Sequence, residues 1–224
     1  MNLDPTANDP GADPILLSDR QSAGWDIKNA FRNYSTLIGA QVVVALFSFA
    51  SVWLVTHYLG TDGYGGVVAV IAASQVAQIL INWTGVALVR SGVEEFVQTA
   101  HITNSFWART AIFLPNTLVL LLFGSLWLPL LSGWLKLPPE AIWFVAAHFV
   151  TSAVWLHIQY AMQAAKLPRL QGTLIAVERV LIFAGLCVLI AVGRLNALSA
   201  IAAYIAAPAL MACVGLFLIR KLFS

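Results

Sequence analysis

Long apolar stretches, almost free of charged residues, follow one another along most of the chain. Five stretches contain no Asp, Glu, Lys or Arg: 33–61, 63–89, 110–135, 141–165 and 195–219. A sixth, 171–193, is interrupted only by Glu178 and Arg179. Each supplies the roughly 20 apolar residues that a helix needs to cross a bilayer core of about 30 Å, and the apolar runs are too continuous for barrel strands. The pattern predicts an all-α, polytopic membrane protein with six transmembrane helices, near 36–57, 66–89, 110–131, 141–164, 171–193 and 197–219.

The N-terminal segment, residues 1–35, has a different composition, with five aspartates and three prolines. We expect a cytoplasmic segment that begins as disordered chain. From Ser18 onward the pattern fits an interfacial helix, because Ile27, Phe31 and Tyr34 share one helical face. Residues 36–221 then form the six-helix transmembrane bundle.

The composition excludes several classes of protein. Hydrophobic residues make up 60% of the chain and charged residues 10%, against about 25% charged residues in an average soluble domain. A soluble enzyme could not cover that much apolar surface, and a disordered chain needs low hydrophobicity and high charge. The net charge of +2 gives no reason to expect a nucleic-acid partner.

No motif in the sequence indicates a catalytic centre. The chain has no Gly-x-Ser-x-Gly elbow, no His-Glu-x-x-His motif and no pair of aspartates within the predicted spans. The two cysteines, Cys187 and Cys213, lie in apolar stretches without the spacing of a zinc site. We therefore predict a protein that is not an enzyme and holds no metal or cofactor.

Basic residues predict the orientation, because Lys and Arg accumulate on the cytoplasmic side of membrane proteins. If six spans alternate, only Lys136 and Arg194 fall on one side. The other side receives nine basic residues: Arg20, Lys28, Arg32, Arg90, Arg109, Lys166, Arg169, Arg220 and Lys221. Both termini should then be cytoplasmic, with the connections 90–109 and 165–170 facing inward. In this interpretation Arg90 and Arg109 set the topology of the chain.

Polar residues recur at helical spacing in two of the predicted spans. The second span carries Ser74, Gln78 and Asn82 on one face. The fourth carries a longer stripe, formed by His148, Ser152, Trp155, Gln159 and Gln163. Such residues can form hydrogen bonds between packed helices. Alternatively, they can form a hydrophilic wall suited to sugar hydroxyls.

Glu178 and Arg179 form the only charged pair inside a predicted span. Adjacent side chains point about 100° apart on a helix, so we expect these two not to pair with each other. Arg179 could reach the lipid headgroups while Glu178 pairs with another helix. Alternatively, Arg179 faces a cavity and binds a lipid pyrophosphate, since guanidinium donates paired charged hydrogen bonds to phosphate.

The first predicted hairpin carries the most specific motif. It reads Tyr58-Leu59-Gly60-Thr61-Asp62-Gly63-Tyr64-Gly65, and the second span ends in Ala87-Leu88-Val89-Arg90 followed by Glu94 and Glu95. In this setting the chain resembles the oligosaccharide flippase (Wzx-type polysaccharide export) family of the multidrug/oligosaccharidyl-lipid/polysaccharide superfamily. The resemblance covers about residues 33–221. Because such transporters usually have twelve to fourteen spans, it implies only an N-terminal half, one lobe of a two-lobed flippase.

The resemblance implies a function in polysaccharide biosynthesis at the cytoplasmic (inner) membrane. The chain would help to move a polyprenyl-pyrophosphate-linked glycan across the lipid bilayer, together with a second half or a second copy. The candidate substrate-binding residues are Arg179, Glu178, His148, Ser152, Trp155, Gln159, Gln78 and Asn82. The alternatives are a drug or cation antiporter of the same superfamily, and a non-transporting membrane scaffold of a polysaccharide synthesis complex.

Overall fold

The computed structural model describes residues 14–135 and 141–223, and within them every regular element is helical. Five α-helices follow one another: α1 (Pro14–Thr99), α2 (Thr103–Leu135), α3 (Ala141–Ala164), α4 (Pro168–Ala191) and α5 (Ala197–Ile219). A short 3-10 helix, Arg220–Phe223, follows α5. The residues of the predicted N-terminal disorder (1–13), and Lys136 with the rest of 136–140, lie outside the described residues. From Pro14 onward the N-terminal segment is helical and runs directly into the first predicted span.

Five helices in the described part of the chain are long and apolar enough to cross a membrane. They are Ser35–Thr99, Thr103–Gly124, Ala141–Ala164, Pro168–Ala191 and Ala197–Phe223. The prediction of an all-α chain with several apolar helices is confirmed, and the predicted fourth span coincides with α3. The first two predicted spans, however, both lie within α1, as two helical parts that join directly at Gly60.

Helix α1 is sharply kinked at Gly60, the one residue within it whose backbone is non-helical (φ 69°, ψ −177°). This combination belongs to a region of backbone space that only glycine adopts readily. Gly63 and Gly65 continue the helix, so the turn between the first two predicted spans is confined to Gly60 and does not extend over 58–65. One residue is sufficient because a single non-helical φ/ψ pair redirects the chain.

The two parts of α1, 35–59 and 61–99, run in opposite directions. Straight, the 65 residues of Ser35–Thr99 would extend about 98 Å, far beyond the roughly 36 Å length of α3. Instead Ala40 lies against Gly172 at the start of α4, and Gly92 lies against Ala164 at the end of α3. Both ends of the 65-residue segment therefore meet the same end of the bundle, where α3 passes into α4.

Two ends of the bundle can be distinguished by the connections they contain. At the end where α3 passes into α4, the α3–α4 end, Ile102 donates a backbone hydrogen bond to Leu222 near the C-terminus. At the opposite end, the α4–α5 end, Val55 and Val67 on either side of the kink pack in one cluster with Ala200 of α5. The N-terminal side of the first span and the chain's last described residues therefore lie together at the α3–α4 end.

Small residues allow the helices to approach each other closely. A Cβ on Gly215 of α5 would lie 2.9 Å from Ile158 and 3.0 Å from Met162 of α3. A Cβ on Gly92 would lie 2.7 Å from that of Ala164. Helix association in a membrane relies on such packing, because lipid tails are as apolar as the helices themselves.

We expect Gly60→Ala to destabilise the protein by about 1–3 kcal/mol, because alanine is strained at a φ/ψ pair that only glycine adopts readily. Gly65→Ala is the matched control, since a Cβ there meets no atom within 4 Å and alanine favours a helix. Thermal unfolding in detergent checks both variants. Equal midpoints would mean that the kink does not depend on Gly60.

Candidate functional site

A cavity of about 170 Å³ lies between α1, α3, α4 and α5, and its wall is largely polar. The residues that line it are Ile71, Gln75, Gln78, His148, Ser152, Trp155, Leu156, Gln159, Glu178, Arg179, Ile182 and Tyr204. On α3 the polar ones follow the predicted stripe at steps of four, three and four residues. This periodicity places them on one face of the helix.

Seven of the eight residues predicted to bind substrate line this cavity: Gln78, His148, Ser152, Trp155, Gln159, Glu178 and Arg179. The eighth, Asn82, is half-buried and does not line it. Residues four apart point about 40° from each other around a helix. Asn82 is two such steps from Ser74, so its side chain points in a different direction. That these residues bind a substrate remains a prediction.

His148 is fixed in orientation by two serine hydroxyls. The Ser74 hydroxyl donates to the Ile71 carbonyl at 2.7 Å, and its oxygen is hydrogen-bonded to His148 Nδ1. Because a hydroxyl has a single hydrogen, Nδ1 must supply the proton of the second bond. His148 Nε2 then carries the lone pair, 3.4 Å from the hydroxyl of Ser152, which also lines the cavity.

The carboxylate of Glu178 accepts a hydrogen bond from a tryptophan of the neighbouring helix. Trp155 Nε1 donates to Glu178 Oε2 at 2.8 Å, and both residues are buried. Glu178 is the eleventh residue of α4 and lies about 15 Å along the helix from Pro168. A buried carboxylate is costly unless it is hydrogen-bonded, so the indole donor stabilises Glu178 at that depth.

Glu178 also contacts its neighbour Arg179, with Oε1 and Nη2 4.0 Å apart. The prediction that these adjacent residues do not pair is therefore wrong, although the contact is at the outer limit of an ion pair. The long, flexible side chains bridge the angular separation of their Cα atoms. Among the described residues, Arg179 Nε has no hydrogen-bond partner although it is buried.

Two polar residues of the cavity wall, Gln75 and Tyr204, were not among the predicted substrate-binding residues. Gln75 is an exposed polar residue of the second predicted span, beside the stripe of Ser74 and Gln78. Tyr204 is the cavity's contribution from α5. A polar residue in an apolar span was the available signal for both. Gln75 lies three residues before Gln78 on the same face, whereas Tyr204 continues no polar stripe on its own helix.

A second polar cluster surrounds Arg109, whose side chain is buried within the bundle. Arg109 Nε donates to the Thr84 hydroxyl at 3.2 Å, and Nη1 is hydrogen-bonded to His157 Nδ1. Its guanidinium also lies over the rings of Tyr160, at 4.7 Å, and Phe113, at 5.7 Å. None of these four contacts is with a carboxylate. Arg109 Nη2 has no hydrogen-bond partner among the described residues.

The position of Arg109 corrects its predicted role in an inward-facing connection. The connection between α1 and α2 consists of residues 100–102, and α2 starts at Thr103. Arg109 therefore lies about 9 Å along α2 and joins α1, α2 and α3. The sequence interpretation treated every charge as the end of a span, so a buried cation near a helix terminus could not be recognised.

The hydrogen bonds of His157 require it to be neutral. The Thr110 hydroxyl donates to the Phe106 carbonyl at 2.8 Å and lies 3.0 Å from His157 Nε2, so Nε2 supplies the proton. Nδ1 is then the acceptor that receives the guanidinium hydrogen of Arg109. His157 consequently acts as an acceptor for a buried cation.

The described residues offer no cluster of three or more His, Cys, Asp or Glu side chains that could hold a metal ion. His148 and His157 are each committed to hydroxyl or guanidinium partners.

His157→Phe should destabilise the protein by at least about 1–3 kcal/mol, because it leaves the buried guanidinium of Arg109 without its acceptor. Arg109→Met in the same chain should restore most of that stability by removing the charge. The measurement is the thermal unfolding midpoint in detergent for both single variants and the double variant. Additive losses would show that the two side chains do not act as a pair.

Comparisons with known proteins identify no family for this chain. No family model matches the sequence, and neither a curated protein nor a solved structure matches it. The resemblance to oligosaccharide flippases thus stays a prediction, and a function must be argued from the cavity and its residues.

Proposed function

We propose that this chain transports a lipid-linked oligosaccharide across the cytoplasmic membrane, as one lobe of a flippase. The observation that carries the proposal is the polar cavity inside an apolar helix bundle, lined by Arg179 and by side chains that can both donate and accept hydrogen bonds. Polar residues within membrane spans are costly and usually face a cavity or pathway. Transport requires no covalent chemistry, so the proposal involves no enzymatic step.

Arg179 is the group that would bind the pyrophosphate of the lipid carrier. Its contact with Glu178 is long at 4.0 Å, and its Nε has no hydrogen-bond partner among the described residues. The planar guanidinium can donate two parallel hydrogen bonds to phosphate oxygens. Gln78, Gln159 and Ser152 would meet sugar hydroxyls next to it.

The size of the cavity implies that only part of such a substrate enters it. Its volume of about 170 Å³ is smaller than the roughly 300–1,000 Å³ of pockets that enclose drug-sized ligands. The Arg179 side chain is 36% exposed, and Gln75 is exposed as well. Polar groups facing hydrocarbon are unfavourable, which supports a second half or second copy that covers them and completes the site.

The proposed topology has six crossings, with α1 crossing twice and both termini in the cytoplasm. It is supported by the opposite directions of the two parts of α1 and by the distribution of charge. Five basic residues lie in helix segments and connections that meet at the α3–α4 end: Arg90, Lys166, Arg169, Arg220 and Lys221. Arg194, in contrast, lies at the α4–α5 end. Basic residues favour the cytoplasmic side, so the α3–α4 end would face the cytoplasm.

We expect Thr61→Cys, next to the kink, to react with a membrane-impermeant thiol reagent in intact cells, and Gln98→Cys at the opposite end to react only after lysis. Both positions are uncharged and exposed. The background should carry Cys187→Ala and Cys213→Ala, because these are the native free cysteines. Labelling of Gln98→Cys but not Thr61→Cys in intact cells would reverse the proposed orientation.

Arg179→Gln should leave yield and topology unchanged but abolish glycan export, because it removes the charged fork that binds phosphate. Arg179→Lys should retain partial export, since the charge remains without the paired geometry. The assay measures glycan export in cells that also produce the complementary half. The matched control is Arg220→Gln, which removes an exposed arginine at the α3–α4 end.

The outcomes of this experiment separate the alternatives. Normal export by a well-folded Arg179→Gln protein would remove Arg179 from the substrate site. Loss of folded protein that is restored by Glu178→Gln would mean that Arg179 only balances a buried charge. Loss of drug resistance instead of glycan export would favour the antiporter alternative.

A further inference from the structure

Trp155 connects three helices through its indole ring. Its Nε1 donates to Glu178 Oε2 of α4 at 2.8 Å, and the ring packs against Gly215 of α5, where an added Cβ would lie 3.1 Å from Trp155 Cζ3. The indole is 2% exposed. The absence of a side chain at Gly215 leaves room for the ring, so the direction of the N–H bond is fixed by packing on both sides.

Glu178 has two donors within reach, and they differ in strength. The indole N–H is neutral, whereas the guanidinium of Arg179 is charged and could donate a shorter and stronger hydrogen bond. Yet the contact actually formed with Arg179 is the weak one, 4.0 Å between Oε1 and Nη2. The Glu178 carboxylate is therefore hydrogen-bonded to Trp155 through Oε2, while its Oε1 stays 4.0 Å from the guanidinium.

The position of Glu178 determines how much of Arg179 remains available. A carboxylate that moved onto the guanidinium would occupy the same fork of N–H groups that a phosphate would use. Held by Trp155, Glu178 leaves Arg179 Nε without a partner among the described residues. The carboxylate thus balances the charge of Arg179 from 4.0 Å away and leaves its N–H groups accessible to a phosphate.

We propose that Trp155 is a positioning residue that holds the Glu178 carboxylate away from Arg179, and so keeps the guanidinium free for an anionic group of the ligand. This inference rests on the proposed function, because it takes Arg179 as the group that binds phosphate. In this inference Trp155 acts on the ligand indirectly, through Glu178, and does not contact the sugar itself. Gly215 supports this role by admitting the indole ring.

The test measures binding of farnesyl diphosphate, and of farnesol as the uncharged control, by equilibrium dialysis with the 224-residue chain in detergent. Trp155→Phe keeps an aromatic ring but removes the N–H, so Glu178 should move onto Arg179. Affinity for the diphosphate should fall by about fivefold, the effect of one ordinary hydrogen bond, with no change for farnesol. Glu178→Gln should bind the diphosphate more tightly than the unmodified protein, because no carboxylate then competes for Arg179.

The double variant Trp155→Phe with Glu178→Gln separates positioning from packing. Without a carboxylate to reposition, the effect of Trp155→Phe on diphosphate binding should disappear. An equal loss in the Glu178→Gln background would overturn the inference, because the ring would then act through packing alone. Equal or weaker binding by Glu178→Gln itself would overturn it as well, and that variant does not depend on how Trp155→Phe folds.

Arg179→Gln distinguishes failure of this inference from failure of the proposed function. If Arg179→Gln binds the diphosphate as well as the unmodified protein does, Arg179 is not the phosphate group and both proposals fall. If Arg179→Gln loses affinity while Trp155→Phe retains it, the phosphate site stands and the role of Trp155 is wrong.

Discussion

Polar side chains that water cannot reach must pair across the helices, and in this bundle α3 supplies most of the pairs. His148 binds Ser74 of α1, Trp155 binds Glu178 of α4, and His157 binds Arg109 of α2. Apolar packing between helices gives little direction in a membrane, because lipid offers the same contacts. The directional bonds of α3 therefore determine which face of each neighbour is turned inward.

The two polar networks lie on different sides of α3. His148 and His157 are nine residues apart, which corresponds to about 180° around the helix. One face carries His148, Ser152, Trp155 and Gln159 and lines the cavity. The opposite face meets Arg109, whose side chain is buried. The helix thus separates a network that lines the cavity from one that surrounds the buried guanidinium of Arg109.

The two histidines also differ in the nitrogen that carries the proton. Ser74 gives its hydrogen to the Ile71 carbonyl, which places the proton of His148 on Nδ1. Thr110 gives its hydrogen to the Phe106 carbonyl, which places the proton of His157 on Nε2. Each hydroxyl donates to a carbonyl of its own helix and so accepts from the histidine. As a result, His148 directs the lone pair of Nε2 towards the cavity, and His157 directs that of Nδ1 towards Arg109.

Much of the architecture could be predicted from the sequence, because apolar length is a strong signal. The predicted bounds of α3 coincide with the helix, and the polar stripe of His148 to Gln159 follows one face. Periodicity could not recognise Arg109, since a charge near the end of an apolar run looks the same whether it is hydrated or buried. Periodicity also could not show that Gly60 alone forms the kink, because the kink depends on the φ and ψ angles of that one residue.

The pair of Glu178 and Arg179 illustrates what is decided only in three dimensions. From the sequence the two charges are adjacent on one helix, and an angle of about 100° argues that they stay apart. In the bundle they come within 4.0 Å, and what limits their approach is the indole of Trp155, 23 residues earlier in the chain. Whether the half-exposed guanidinium of Arg179 is neutralised or left free thus depends on a neutral donor from another helix. The same consideration applies to Arg109, whose acceptor His157 is neutral as well, so in both networks a neutral side chain sets the state of the charged one.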